Sequence, residues 1–251
     1  MESWLSYWDT PNKSYVSERH KKAHYDVVFD GIRPYLPTST DGIVLDWGCG
    51  DALAAERIAE LCGGVLLYDA AASTRARLGE HLRNHTRIRI LDDTALEGIF
   101  GGSIDLIVVN SVIQYLSAEQ FDTTLALFHR LLNPSGAILL GDIISPGTGN
   151  LQAAATLLRF AWRKGFFLSA VAGLVETFAS PYRMLQRRIG LAAYTPIQML
   201  QIFDQHGFIA ERLPHNIAVS PHRSSYLARK KHIDQVPNQH CLHAEHERGA
   251  A

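Results

Sequence analysis

Two acids and a pair of glycines carry the chemistry most directly legible in this chain. Asp46 follows a short apolar run, Ile43-Val44-Leu45, and stands just ahead of Gly48-Cys49-Gly50. Glycines at that spacing allow a tight turn with positive φ, and a bare backbone that a ligand can approach to contact. Residues 52–61 then read as a helix, with Leu53, Ile58 and Leu61 near one face and Glu56, Arg57 and Glu60 on the other. The free amides at the start of such a helix point at whatever occupies the turn. A carboxylate at the mouth of this turn repels a pyrophosphate and attracts a cationic or ammonium-bearing ligand. Leu53 also occupies the place of the third glycine in a dinucleotide fingerprint, which counts against NAD(P). Asp69 ends the next apolar run and follows Gly50 by 19 residues. At that distance an acid on the neighbouring strand tip accepts both hydroxyls of a ribose, in any adenosine-bearing ligand.

Those residues need strands to hold them. Apolar runs at 43–45, 65–68, 88–91, 104–110 and 137–144 alternate with helical patterns at 52–61, 71–85 and 117–132, punctuated by Gly and Pro. The economical fold is α/β with a doubly wound parallel sheet. Ser117 is placed to cap one helix, and Thr195 with Pro196 to open another. Two late strands, 207–213 and 224–229, flank a loop at 214–223. Residues 145–194 break the rhythm. Their stretch 159–188 holds six basic residues against Glu176 alone, beside the apolar run 166–175. An apolar, basic helical insertion of this kind suits a lid over a substrate, and admits contact with a membrane surface or with a second copy of the chain. The expected division is therefore a helical cap at 1–42, a core at 43–144 and 195–230, a helical lid insertion at 145–194 and a polar tail at 231–251.

Composition narrows the class without naming it. The chain has 251 residues, a formal net charge of −1, 47 % hydrophobic and 20 % charged residues. That is an ordinary globular balance with no global attraction to nucleic acid. Three cysteines, Cys49, Cys62 and Cys241, make no disulfide framework and suit a reducing, cytoplasmic setting. No signal peptide is expected from the first residues. The tail carries His232, His240, His243 and His246, read as solvated, and no metal site is expected.

The run Val44-Leu45-Asp46-Trp47-Gly48-Cys49-Gly50-Asp51-Ala52 resembles the first motif of the class I S-adenosylmethionine-dependent methyltransferases, with Ala52 in place of that family's third glycine. The resemblance covers 43–144 best. It implies a Rossmann-like, seven-stranded sheet with a terminal antiparallel strand, S-adenosylmethionine as cofactor, and a helical segment laid over it. By resemblance the cofactor-binding residues are Asp46, Gly48, Cys49, Gly50, Asp69 and Ala70, with Asp92 or Asp93 accepting the adenine amino group. Asn110, Ser111 and the residues on to Tyr115 would line the reaction centre, and Tyr7, Tyr15 or Arg19 would touch the methionine end.

Methyl transfer from a sulfonium needs no covalent enzyme intermediate, so holding two reactants in line in a dry pocket supplies most of the acceleration. A hydroxyl or carbon acceptor adds the need for a base. Tyr115 qualifies by its place after the fourth strand, and His215 and His222 by theirs in the last loop; His20 and His24 lie in the cap. The expected activity is O- or C-methylation of a small acceptor, apolar, lipid-like or anionic. The rivals are an NAD(P)-dependent oxidoreductase, which lacks a Tyr-x-x-x-Lys pair here, and a non-catalytic nucleoside-cofactor-binding protein.

Overall fold

The computed structural model describes residues 3–10, 15–147, 149–177 and 181–231. The tail histidines and Cys241 lie outside the described residues. Two helices precede the sheet. Ser3 caps α1 (Trp4–Trp8), and Ser17 caps α2 (Glu18–Ile32) by accepting from the His20 N–H. The core then runs β1 (Ile43–Trp47), α3 (Ala55–Ala59), β2 (Gly64–Tyr68), α4 (Ala72–His81), β3 (Ile88–Leu91), α5 (Asp93–Glu97), β4 (Ile104–Asn110), α6 (Ala118–Leu131) and β5 (Leu132–Ile143). Three helices follow, α7 (Asn150–Lys164), α8 (Phe167–Thr177) and α9 (Pro181–Ile189). The chain then returns through α10 (Pro196–Gln205), β6 (Phe208–Arg212) and β7 (Ser224–Lys230).

The strand order is β3-β2-β1-β4-β5-β7-β6, with β1 to β5 parallel and β7 antiparallel to both its neighbours. This is the seven-stranded, Rossmann-like sheet with an antiparallel end. The central strands alternate side chains between two buried faces. Val44, Leu106, Val108 and Leu139 pack under Phe29, Ile32, Ile58 and Leu78 of α2, α3 and α4. Leu45, Ile107, Val109 and Ile138 pack under Phe121, Leu125, Phe128 and Phe203 of α6 and α10. Phe203 is fully buried, so Phe203→Ala is expected to cost about 3–5 kcal/mol in denaturant unfolding.

Boundaries differ where turn chemistry overrides periodicity. The helix read over 52–61 shortens to α3, because Ala52 takes a left-handed φ of 46° and prolongs the turn. Leu53 and Leu61 are accordingly exposed, and only Ile58 of the three reaches the core. The helix read to 85 stops at His81. Asn133-Pro134-Ser135-Gly136, a run of turn-forming residues, lies within β5 at a register shift opposite Ile104 and Leu106. Ser117 and Thr195 both form capping boxes, with Gln120 and Gln198 respectively.

Candidate active site

A cavity of about 1720 Å³ opens over the carboxyl ends of β1, β2 and β4, the edge at which parallel α/β sheets bind ligands. Its floor is the glycine turn. Gly48 and Gly50 hold φ of 79° and 56°, conformations open to glycine and strained for other residues. The N–H groups of Gly48 and Cys49 donate to the Tyr68 carbonyl at 2.7 and 3.1 Å, tying the turn to the end of β2. One oxygen of Asp69 accepts the Gly50 N–H at 2.9 Å and the other the Ala71 N–H at 2.9 Å. Asp69 therefore braces the turn while lining the cavity.

Asp46 lines the same cavity and has no hydrogen-bond or ion-pair partner among the described residues. Burial, reinforced by the charge of Asp69, raises its carboxyl to about 7. A partnerless acid in that state is a receptor for a cation. Asp51, two residues past Cys49, behaves oppositely. Burial alone would raise it, but Lys21 at 2.6 Å and Arg77 at 2.9 Å outweigh that and hold it below the usual carboxylate range.

The roof is α2, whose Lys21, His24, Tyr25, Val28 and Ile32 face the cavity at helical spacing. The Tyr25 hydroxyl accepts the Asp51 N–H at 3.0 Å. At the far side an aromatic group closes the space: Trp4 lies 4.8 Å from Tyr115 and 5.4 Å from Tyr182, and Trp8 lies 5.4 Å from Tyr115, between ring centres. Trp4 also donates to the Gly190 carbonyl at 3.2 Å, so α1 straps α9 to the segment after β4.

Of the residues singled out in the sequence, the structure brings Asp46, Gly48, Cys49, Gly50, Asp69, Ala70, Asn110, Ser111, Tyr115 and Tyr15 to this cavity. Others lie elsewhere. Arg19 is exposed and donates to the Gly165 carbonyl at 2.8 Å, a cation satisfied at the end of α7 instead of at a ligand. Asp92 is an exposed helix cap that accepts the Ala95 N–H, and Asp93 accepts the Tyr68 hydroxyl at 2.6 Å. Both belong to the tip of β3, on the neighbouring strand as expected, but neither lines the cavity. His215 is exposed and outside it, and His222 lines a smaller chamber described below. Sequence reasoning passed over Lys21, Tyr25 and Arg77, because nothing local in α2 or α4 reveals that they fold back over the glycine turn.

A parallel sheet with an antiparallel end, a glycine turn after β1, and acids at the tips of β1 and β2 define a nucleoside-cofactor methyltransferase architecture. Residues 44–136 match the family model described as "Methyltransferase domain". Uncharacterized methyltransferases of Mycobacterium bovis and Mycobacterium tuberculosis are 27 % identical over 127 residues, 51 % of this chain and 61 % of each relative. The chain thus spans under two thirds of the length of the curated relatives it matches. Among solved structures, a complex of DhpI with S-adenosylhomocysteine superposes with a TM-score of 0.57 at 11 % identity, covering 90 % of this chain and 95 % of that one. Phosphoethanolamine N-methyltransferase 1 of Haemonchus contortus gives 0.61 at 18 % identity, covering 91 % of this chain and 47 % of its own. At such identities these two show the fold. With the domain match they mark residues 44–136 as a methyltransferase domain on a sheet of the class I, S-adenosylmethionine-dependent type. S-adenosylmethionine is that class's cofactor, and the cavity fits it. The partnerless Asp46 in its wall suits an ammonium group, and the bare glycine backbone leaves room for close approach.

Proposed function

We propose that this protein transfers the methyl group of S-adenosylmethionine to a small-molecule acceptor, by in-line attack on the methyl carbon in a water-poor cavity. Asp46 would hold the amino-acid end, Asp69 the ribose hydroxyls, and Asn110 to Tyr115 the region of the transferred methyl. The cofactor supplies an electrophilic methyl on a good leaving group; the chain supplies position and exclusion of water. The observation that carries this reading is Asp46, left without a protein partner in the wall of a cavity that Asp69 and Asn110 also line. An adenine contact is not assigned, since Asp92 and Asp93 are not among the residues that line the cavity.

Residues 145–194 serve in this reading as the cover over the acceptor. Ile189 to Tyr194 line the main cavity, and Ala153, Thr156, Leu157 and Phe160 of α7 line the smaller one. The apolar wall of Trp4, Leu5, Trp8, Val112 and Leu116 keeps water from the region of the transferred methyl. No described helix is long and apolar enough to cross a membrane.

Calorimetric titration with S-adenosylhomocysteine and, separately, with NADH tests the assignment. Saturable binding of the first and none of the second is expected. Binding of NADH alone would return the chain to the oxidoreductases, and binding of neither would remove the nucleoside reading altogether.

A further inference from the structure

A second chamber, about 450 Å³, lies beside the first over the end of β5. His24, Leu191 and Ala193 line both, so the two spaces meet at that wall. Ser111 links them chemically as well. It lines the main cavity and donates at 2.7 Å to Asp142, which lines the side chamber. The main cavity covers β1, β2 and β4, whereas the side chamber starts at the next strand over. Two reactants placed in adjoining spaces across one sheet edge can meet at the junction.

The polar groups at that junction divide by what they already hold. Asp142 is saturated: Ser111 and Arg223 donate to one oxygen, and Asn216 to the other at 3.0 Å. His20 accepts the Val16 N–H through Nδ1 and stacks on Phe166 at 4.9 Å. Burial, with His24 adding to it, pulls His20 down to about 4, so it stays neutral. His222 is exposed. His24 alone of this set is half-buried, touches both spaces and has no hydrogen-bond partner among the described residues. Tyr15 and Tyr25 face it with ring centres at 5.5 and 5.6 Å; His20 lies on the same helix, and Asp142 on β5. Burial lowers its pKa and Asp142 works against that, which leaves a neutral imidazole able to accept a proton.

We infer that the side chamber receives the methyl acceptor, that the acceptor is a small molecule bearing a phenolic or enolic hydroxyl, and that His24 is the base that takes its proton. This rests on the methyl-transfer reading and deepens it. An imidazole is matched most closely to an acid of phenol strength, an aliphatic alcohol being a far weaker acid, and a neutral amine needs no base to attack. The acceptor O–H bond breaks with its proton passing to a free nitrogen of His24. The oxygen lone pair forms the new C–O bond, and the methyl–sulfur bond breaks with its electron pair left on sulfur, converting a sulfonium to a neutral thioether.

The probe is 4-nitrophenol, whose ionised and protonated forms absorb differently, added to protein saturated with S-adenosylhomocysteine. In the wild type, bound probe is expected to show a stronger phenolate band near the free probe's own midpoint than it does in a protein without the imidazole, because His24 is there to hold the proton that leaves. His24→Gln, measured at an S-adenosylhomocysteine concentration that saturates the variant, should lose at least about tenfold of that band. Leu157→Trp, which narrows only the side chamber, should abolish probe binding and spare S-adenosylhomocysteine. An unchanged band in His24→Gln overturns the assignment of the base, and unchanged probe binding in Leu157→Trp overturns the chamber. Wild-type protein that binds S-adenosylhomocysteine but not the probe overturns the acceptor class. Failure of the wild type to bind S-adenosylhomocysteine overturns the methyl-transfer reading itself.

Discussion

Asp46→Asn is expected to weaken S-adenosylhomocysteine binding about 10- to 100-fold and at the same time to make the ligand-free protein more stable at pH 8. The two effects have one cause. A charge-assisted hydrogen bond to the ligand's ammonium contributes roughly 1.5–3 kcal/mol, and asparagine forfeits it. Without ligand, the same carboxylate is a cost, because it is desolvated next to Asp69 and has no cation beside it. In the unfolded chain Asp46 loses its proton near pH 4, in the folded chain at about 7. Between those values the folded state binds more protons, so its stability falls as pH rises through that window and stays low above it. Allowing for solvent reaching the cavity, the loss is on the order of 1–3 kcal/mol, and Asp46→Asn should remove it. Ligand affinity should move the other way and strengthen from pH 6 to 8 as Asp46 ionises. In the variant it should be flat. Denaturant unfolding and calorimetry at the two pH values check both arms. A variant that binds as the wild type does would remove Asp46 from the site.

Local chemistry made the centre of this fold legible. Asp46 and the glycines sit within five residues of one another, and the apolar runs beneath them are buried on both faces, so neither depends on distant contacts to be recognised. Asp69 was legible because the parallel pairing of β1 with β2 fixes its distance from the turn, Trp47 lying opposite Tyr68. What lay hidden depends on chain return. Lys21 and Tyr25 act on Asp51 from 30 and 26 residues upstream, and α2 shows only the pattern of a helix packed on a sheet. His24 looks like any histidine on such a face until its position between two chambers is seen. Arg19 and the paired aspartates stand apart from the cavity lining for a related reason. Exposed charged residues find the nearest helix end or hydroxyl, and sequence alone does not say which is nearest.

Gly48→Ala is expected to destabilise the protein by roughly 2–5 kcal/mol and to abolish ligand binding, although it adds a single methyl group. Two costs combine. At φ 79° an alanine sits in the left-handed region, which costs about 1–2 kcal/mol. Its Cβ would also lie 2.4 Å from Cγ2 of Val112, too close for any real contact, so the turn or the segment after β4 must shift, at about 1–3 kcal/mol. That shift would pull apart the Gly48–Tyr68 and Gly50–Asp69 hydrogen bonds, which set the floor of the cavity. Gly48→Ala combined with Val112→Ala separates the two terms, because the second change removes the clashing methyl groups and leaves the backbone strain. A double-mutant cycle should therefore show a favourable coupling of at least about 1 kcal/mol in denaturant unfolding. Binding should return only in part, since the strained turn remains. Simple additivity of the two substitutions would mean that Val112 yields freely, and that the glycine is required for its conformation alone.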